Sequence, residues 1–437
     1  MEVIIIGAGL AGSEAALQLA KNKIKVKLYE MRPAKTTGAH VSEDCAEFVC
    51  SNSLGSNDIT NASGLLKHEM QLLDGKLIKV ANQCSVPAGN ALAIDRVGFS
   101  KKITELITQN EYIELIREEI TEIPQDKPVI IASGPLTSDK LAEKIKEFTQ
   151  TEHLYFFDAI APIVEKDSIN FDIAFWASRY DKGEASYINC PMNKEEYENF
   201  YNILTTSERI ELHDFEKNAK FFESCLPVEV LASRGVDTLR FGPMKPVGLV
   251  DKRTNTENWA VVQLRQDDAA KSLFNLVGFQ TNLKWGAQKE LIHSIPGLEN
   301  ANIVRYGVMH RNTFINSPKI LNNTLNTKTR ENLFFAGQIS GVEGYTESIA
   351  TGLLAGINMA RLIQNKPLIA LPQETMLGAL CNYISSSELK HFQPMNSNWA
   401  VVSPIELPKK ERKNKKLKNE LLAKRSLETL KGFLCST

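Results

Sequence analysis

Apolar positions near the start of the chain predict a strand, a helix and a second strand in close succession. An apolar run at residues 3–6 is followed by three closely spaced glycines, and apolar residues then recur at helical spacing. The segment KVKLYE (residues 25–30) is a second strand that ends in an acidic residue, Glu30. Strand, helix and strand in this order predict a βαβ unit with parallel strands.

The turn GAGLAG between the first strand and the helix is typical of a dinucleotide-binding site. Gly7 permits the tight turn, Gly9 lets the backbone approach a pyrophosphate, and Gly12 allows the helix and strand to pack closely. The helix N-terminus supplies N–H groups and a favourable dipole for phosphate, and Glu30 can accept hydrogen bonds from ribose hydroxyls. The predicted nucleotide site comprises Gly7, Ala8, Gly9, Leu10, Ala11, Gly12 and Glu30.

A second strand, loop and helix occur in the last third of the chain. Residues 333–336 form a buried-strand pattern, a glycine-rich loop follows, and small residues at 348–361 predict a helix. A flavoprotein uses such a unit to close over the flavin end of FAD, although an ordinary αβ loop with packing glycines has the same pattern. Together with the first unit, it favours FAD.

Between these units, short β-like runs such as YINCPM alternate with charged helical stretches such as NKEEYENFYNIL. The pattern predicts an α/β fold, a Rossmann-like FAD-binding domain interrupted by an α+β insertion domain. The predicted boundaries are 1–145 and 305–437 for the two parts of the FAD-binding domain, and 146–304 for the insertion.

Composition narrows the class of protein further. The 437 residues are 43% hydrophobic and 24% charged, which is typical of a soluble globular protein. We expect no membrane span, because no run of 18 apolar residues occurs. The seven cysteines are odd in number and scattered, which favours reduced thiols in the cytoplasm over a disulfide framework. No metal-ligand spacing and no obligate protein partner is evident.

Charge is uneven along a chain whose net charge is only −1. Residues 409–425 contain nine Lys/Arg against two Glu. This basic tail could attract RNA phosphates regardless of base sequence, or it could be a solvated terminal helix.

Two cysteine chemistries are compatible with the sequence. Cys45 and Cys50 have the C-x4-C spacing of a flavin disulfide reductase, but such enzymes carry a second GxGxxG unit for the nicotinamide cofactor, and the 25 glycines provide none. Alternatively, Cys50 and Cys225 are separate catalytic thiols, since a thiolate is a strong carbon nucleophile. Both could also be small buried hydrophobic residues.

Long motifs along nearly the whole chain carry a family resemblance. The sequence resembles the folate- and FAD-dependent bacterial tRNA (uracil-5-)-methyltransferases, with a glutathione-reductase-like FAD domain. The motifs include GAGLAGSEAA, YEMRP, AEFVCSNSL, FFESCLPVEVLASRG, FQTNLKWGAQK, RYGVMHRNTFINSP and FFAGQISGVEGY. A sister family that modifies the wobble uridine of tRNA shares the FAD segments, but is not expected to have the FFESCLP or RYGVMHRNTFINSP runs.

The resemblance implies a specific reaction. NADPH or NADH reduces FAD, and the reduced flavin carries a one-carbon unit from methylenetetrahydrofolate to carbon 5 of a uracil and supplies the reducing equivalents. Cys225 is implied as the nucleophile that adds to uracil carbon 6. Cys50 is implied as the general base for the carbon 5 proton or as a thiol beside the flavin.

The resemblance also implies binding residues, but it does not decide which RNA is the target. It implies FAD contacts at Arg32, Gly337, Gln338, Gly344 and Tyr345. His310 is implied to stack on the pterin, and Arg311 to meet a folate carboxylate or an RNA phosphate. The T-loop uridine of tRNA is the expected target, and a ribosomal RNA uridine is the alternative. A flavin-containing RNA-binding protein without catalysis is a third hypothesis.

Overall fold

A computed structural model describes residues 2–37, 39–151, 154–181, 184–210, 226–254, 258–386, 392–408 and 414–436. The strands are β1 (Glu2–Ile6), β2 (Lys25–Tyr29), β3 (Ser53–Ser56), β4 (Ser85–Val86), β5 (Ala91–Ile94), β6 (Ile113–Ile116), β7 (Val129–Ile131), β8 (Leu154–Ala159), β9 (Ile163–Glu165), β10 (Phe175–Ala177), β11 (Tyr187–Met192), β12 (Ala260–Gln266), β13 (Leu273–Leu276), β14 (Ile303–Arg305), β15 (Met309–Phe314) and β16 (Leu333–Phe335). The α-helices are α1 (Leu10–Lys21), α2 (Ala62–Leu72), α3 (Lys76–Gln83), α4 (Arg96–Thr108), α5 (Asp139–Thr149), α6 (Lys194–Thr206), α7 (Val228–Ala232), α8 (Thr238–Phe241), α9 (Trp285–His293), α10 (Ser317–Ile320), α11 (Tyr345–Ile363), α12 (Met376–Ser386) and α13 (Lys415–Ser436). Short 3₁₀ turns lie at Lys166–Ser168, Arg179–Asp181 and Gln338–Ser340.

A five-stranded parallel sheet in the order β16-β7-β1-β2-β6 forms the centre of the nucleotide-binding part. The strand β1 is buried along most of its length because helices cover one face and a second apolar cluster covers the other. The strand β16 from the last third of the chain pairs with β7, in the register Phe334 to Ile130. The two ends of the chain therefore complete one sheet, which confirms the predicted α/β dinucleotide-binding fold.

A six-stranded antiparallel sheet lies in the middle of the chain, in the order β10-β11-β12-β13-β9-β14. Alternate residues such as Ile188 and Cys190 on β11 and Val262 and Leu264 on β12 point into its own core. The helix α6 packs on this core and begins at a capping box formed by Asn193 and Glu196. Strands and helices alternate here as expected for an α+β insertion, while the boundaries at residues 145 and 304 stay a prediction.

The basic C-terminal segment is largely a packed helix. The helix α13 lies against α2, and its residues Leu422, Ala423 and Leu430 are buried. Ion pairs from Lys416 to Glu420 and from Lys424 to Glu428 run along its exposed side. Residues 409–413 of the predicted basic tail lie outside the described part of the chain.

None of the helices among the described residues has both the length and the apolar character that a membrane crossing requires.

Candidate functional site

The turn between β1 and α1 has the geometry that its glycines predict. Gly7 has φ +100°, and a Cβ there would lie 2.6 Å from the Ala132 carbonyl oxygen on the neighbouring strand connection. A Cβ on Gly12 would lie 1.8 Å from the Gly7 carbonyl oxygen. A side chain at either position would therefore break the packing of strand, turn and helix. Gly9 is the N-cap residue of α1, and no described atom lies within 4 Å of a Cβ built on it.

Glu30 directly follows β2 beside this turn and is held by two neighbours. Its carboxylate accepts hydrogen bonds from the Ala8 N–H at 3.0 Å and from the Arg32 Nε at 2.9 Å. Arg32 also donates to Glu47 at 2.9 Å, and all three side chains are buried. Burial alone would raise the pKa of the Glu30 carboxyl, but the hydrogen bond and charge of Arg32 bring it below its ordinary value. Glu30 is thus a fixed anion at the carboxyl end of a central strand, the usual ligand-binding edge of such sheets.

A cavity above this edge brings most of the predicted cofactor residues together. Its walls include Gly7, Gly9, Leu10, Ala11, Glu30, Arg32, Gly337, Gln338 and Tyr345. Ala8 and Gly12 do not line the cavity and lie behind the turn, where they allow close packing. The loop at residues 118–120 also lines it, as do Thr37 and His40 from the loop that follows β2. Sequence reasoning missed those loops because they carry no motif.

Tyr345 begins α11 and connects this cavity to a second one. The Gly344 residue that precedes it has φ +114°, a conformation that favours glycine. The second cavity has a volume of about 390 Å³, and its walls include Cys50, Leu136, Gly344, Tyr345 and Thr346. Tyr345 thus lines both cavities, and Cys50 lines the second one.

The Tyr345 hydroxyl makes two hydrogen bonds with Cys50. It donates to the Cys50 Sγ at 3.1 Å and accepts from the Cys50 N–H at 2.7 Å. The Tyr345 ring packs edge-on against Phe48, with ring centroids 4.5 Å apart. Burial raises the pKa of Tyr345 well above its ordinary value, and the neighbouring thiol adds to the shift. The phenol is therefore neutral at physiological pH and keeps the proton that it donates to sulfur.

Two arginines hold the backbone of the loop around Cys50. Arg96 donates to the carbonyl oxygens of Phe48 at 3.3 Å and Cys50 at 3.4 Å, and it forms a buried ion pair with Asp267 at 2.8 Å. Arg305 donates to the Val49 carbonyl at 2.9 Å. Asp267 and Arg305 come from the central part of the chain. The loop is thus fixed by residues on both sides of the boundary between the two sheets.

The asparagine next to this loop also contacts the six-stranded sheet. Asn52 is fully buried, and its side chain donates to the Ile94 carbonyl at 3.0 Å and the Gln266 carbonyl at 2.8 Å. Its oxygen accepts from the Arg265 Nε at 3.0 Å. Asn52 therefore joins strand β12 to the loop that presents Cys50.

The cysteines lie in different environments. Cys45 is fully buried, and its burial raises the pKa of its thiol to about 11. Cys50, by contrast, is half-buried and faces a cavity. Burial also raises the pKa values of Cys190 and Cys381, so these two thiols stay protonated at neutral pH.

For three other predicted site residues, the structure describes either the backbone alone or nothing. Cys225 lies outside the described residues. The chain resumes at Leu226, which is buried, and the Val228 N–H donates to the Gln280 carbonyl at 2.7 Å. His310 and Arg311 lie on β15, which pairs with β8, and their side chains are outside the described part of the structure.

No group of three or more His, Cys, Asp or Glu side chains within the described ranges is placed to hold a metal ion.

A parallel sheet with a glycine turn at its carboxyl edge, closed by a second loop and helix, defines a dinucleotide-binding α/β protein. Residues 2–367 match the family profile of glucose inhibited division protein A (GidA). The structure of Aquifex aeolicus GidA in its form II crystal is similar, with a TM-score of 0.67, 18% identity, and coverage of 98% of this chain and 74% of that chain. At this identity, the likeness shows the fold alone.

Curated relatives of much higher identity show more closely which family the chain belongs to. Methylenetetrahydrofolate–tRNA-(uracil-5-)-methyltransferase TrmFO of Anoxybacillus flavithermus is 59% identical over 434 residues, which is 99% of both chains. The enzyme of the same name from Bacillus velezensis is 58% identical over 428 residues, covering 98% of this chain and 97% of the other. The chain belongs to the TrmFO family. This confirms both the resemblance and the predicted class of enzyme, a methyltransferase.

Proposed function

We propose that this protein transfers a one-carbon unit from methylenetetrahydrofolate to carbon 5 of a uridine in tRNA, with FAD as cofactor and NADPH or NADH as reductant. The observation that carries the proposal is the 59% identity to a relative named for this reaction over 99% of both chains. The T-loop uridine is the proposed target, and the cytoplasm, where thiols stay reduced, is the proposed compartment.

The first cavity fits FAD by a test that does not depend on the relatives. A Cβ at Gly7 or Gly12 would collide with the protein's own backbone, which fixes the turn, whereas Gly9 lines the cavity with no described atom within 4 Å of a Cβ built on it, so its main chain is open to a ligand. The N-terminus of α1 opens at Gly9 toward the same cavity and favours an anion there. Glu30 and Arg32 would hold the adenosine end, and Gly337, Gln338 and Tyr345 the flavin end. Gly344 lines the second cavity instead, next to Tyr345, and its contact with the flavin stays a prediction. When bound, FAD would supply the reducing equivalents and the carrier for the one-carbon unit.

Cys50 is the proposed base for the carbon 5 proton, or a thiol that faces the flavin. Its support is geometric, because the residue lines the second cavity beside Tyr345, which lines both cavities, and its loop is fixed by Arg96 and Arg305. A base must be held within hydrogen-bond reach of the proton that it removes. The Tyr345 hydroxyl donates to the Cys50 sulfur and so can orient it and stabilise negative charge there.

Cys225 is the proposed nucleophile, and this role rests on the family resemblance. In the proposed step the thiolate forms a bond to carbon 6, and the electrons of the C5–C6 double bond move toward carbon 5 and oxygen 4. Carbon 5 then bonds to the methylene carbon, the carbon 5 proton leaves to the base, and the bond from the methylene carbon to the nitrogen of its donor breaks, with the electron pair going to that nitrogen. A hydride equivalent, which the reduced cofactor would supply when bound, converts the methylene to methyl as the thiolate is released from carbon 6. His310 and Arg311 are proposed to contact folate or RNA, and both precede the loop that joins β15 to α10.

A covalent trap tests the nucleophile separately from the cofactor. The protein is incubated with FAD, NADPH, methylenetetrahydrofolate and tRNA that contains 5-fluorouridine, because fluorine at carbon 5 cannot leave as a proton does. We expect a stable protein–RNA adduct whose cross-linked peptide contains Cys225. Cys225→Ala should form no adduct while it still binds FAD, and Cys84→Ala serves as the matched control.

Two results would contradict the proposed role. An adduct that persists in Cys225→Ala would assign the nucleophile to another residue. Complete absence of an adduct in the wild type would favour an RNA-binding flavoprotein without catalysis.

Comparison of methylation on tRNA and on ribosomal RNA would decide between the two proposed RNA targets.

A further inference from the structure

One face of the central region combines exposed aromatic rings with basic side chains. Phe241 ends α8 with 82% of its surface exposed, and Tyr180 is 55% exposed. From Arg234 to Arg253 the sequence holds five Lys/Arg against two Asp, a net charge of +3 in a chain whose overall net charge is −1. Large exposed rings beside a net excess of positive charge are uncommon on a surface that contacts only water.

Hydrogen bonds and packing join Arg179 and Tyr180 to residues 245–248, and the Lys245 N–H donates back to the carbonyl oxygen of Gly242, next to Phe241, at 3.3 Å. Arg179 donates to the carbonyl oxygens of Val247 and Lys245, the latter at 3.0 Å. The Tyr180 ring lies over Gly248, where an added Cβ would be 2.6 Å from the ring. We call this face the basic–aromatic surface and define it by Arg179, Tyr180, Arg240, Phe241, Lys245 and Lys252.

Arg240 is fixed within this surface rather than free to move. Its guanidinium lies 3.7 Å from the centre of the Trp259 ring, and its Nε donates to the Trp259 carbonyl at 2.9 Å. It also pairs with Asp237 at 2.6 Å. A planar cation held in one orientation is suited to contact a phosphate or to stack on a base.

The strand register places this surface near Cys50. Ala177 at the end of β10 is paired with Tyr187, and Tyr187 is paired with Arg265 on β12. Neighbouring strands lie about 4.8 Å apart, so the backbone of Ala177 is about 10 Å from that of Arg265. Arg265 donates to Asn52, two residues from Cys50. The basic–aromatic surface starts at Arg179, two residues beyond Ala177, and so extends outward from the edge of the sheet that contacts the Cys50 loop.

We infer that the basic–aromatic surface binds the RNA substrate, with Lys245 and Lys252 at phosphates and Phe241 stacked on an unpaired base. The inference rests on the proposed function, which supplies an RNA substrate. Basic side chains supply sequence-independent affinity for phosphates, and aromatic side chains stack on the unstacked bases of RNA loops. The basic helix α13 is the competing site.

Binding of an unmodified tRNA transcript to the full chain, read by fluorescence anisotropy across a range of salt concentrations, tests the inference. Lys245→Gln/Lys252→Gln should weaken binding about tenfold at moderate salt and lower the slope of log K against log salt by about two. Phe241→Ala should weaken binding by about tenfold. These variants should fold, because Phe241 and Lys252 are mostly exposed, and Lys252 makes its ion pair with an exposed partner, Asp181.

Matched pairs control for loss of charge. Lys140→Gln/Lys146→Gln removes two exposed lysines from α5, and Lys424→Gln/Lys431→Gln removes two from α13. We expect both pairs to keep binding within about twofold of the wild type. If only the α13 pair weakens binding, or if the wild type does not bind tRNA, the inference is wrong. A change in oligomeric state with unchanged tRNA affinity in Phe241→Ala would assign the surface to self-association and also overturn it.

Binding is measured without methylation, so the two proposals can fail separately. A wild-type protein that binds tRNA through this surface but does not methylate it would contradict the proposed reaction and support the surface.

Discussion

Gly352→Ala should loosen the contact between α1 and α11, whose N-terminal turns both line the proposed FAD cavity. A Cβ on Gly352 would lie 2.3 Å from the Ala11 carbonyl oxygen and 2.6 Å from the Ala11 Cα. An ordinary contact between such atoms is about 3.5 Å, so the helices must separate by about 1 Å. Overpacking of this kind costs about 1–3 kcal/mol.

The same displacement should reach the cofactor site. Ala11 lies in the first turn of α1 and lines the cavity, and Tyr345 at the start of α11 also lines it. We expect a melting temperature a few degrees below that of the wild type. We also expect FAD to bind at least tenfold more weakly, measured by flavin fluorescence during titration.

Gly432→Ala in α13 is the matched control, because no described atom lies within 4 Å of a Cβ at that position. Alanine should stabilise this exposed helix by up to about 1 kcal/mol and leave FAD affinity unchanged. If Gly352→Ala and Gly432→Ala bind FAD equally well and melt alike, the close approach of α1 and α11 does not support the cofactor site.

Three further predictions concern the thiols and a buried acid. Tyr345→Phe removes both hydrogen bonds to Cys50 and should slow single-turnover methylation about 10- to 100-fold at saturating FAD, with tRNA affinity unchanged; an unchanged rate would show that the phenol does not position the thiol. Cys45→Ser should keep most of the activity and Cys50→Ser should lose it, whereas equal loss in both would favour the dithiol alternative. Burial raises the pKa of the Glu69 carboxyl to about 7. Hydrogen bonds from Ser426 and from backbone N–H groups act in the opposite direction but are the smaller effect. The carboxyl is thus protonated more readily in the folded chain than in the unfolded one, so its contribution to stability is full below about pH 4.5 and is lost as pH rises through 7. Urea unfolding should show that the wild type loses about 1 kcal/mol more than Glu69→Gln between pH 6 and 8, and parallel pH curves for the two proteins would contradict this.

The nucleotide-binding part of the fold was predictable because the residues that determine it lie close together in the sequence. The turn from Gly7 to Gly12, the apolar strand before it and Glu30 after it lie within 30 residues, and each is needed for packing or for a ligand. The second unit was also found, although α11 begins at Tyr345 rather than at residue 348. The helix starts earlier because Gly344, at φ +114°, turns the chain directly into it.

The environment of Cys50 was not predictable, because it depends on contacts between distant parts of the chain. Tyr345 is 295 residues from Cys50, and Asp267 is 171 residues from Arg96. In neither pair does the spacing along the sequence mark the two residues as partners. The strand order of the central sheet was not predictable for the same reason, since β9 pairs with β13 and β14 across long stretches of sequence. The roles of Cys225, His310 and Arg311 came from family motifs, and they stay predictions.

The central claim is the transfer of a folate carbon to tRNA, and isotope transfer tests it most directly. The full chain is incubated with FAD, NADPH, methylenetetrahydrofolate labelled in its methylene carbon and an unmodified tRNA transcript, and the RNA is digested to nucleosides. The account predicts labelled 5-methyluridine in the wild type and none with Cys225→Ala. A wild-type digest without labelled 5-methyluridine, from a protein that has bound FAD, would contradict it.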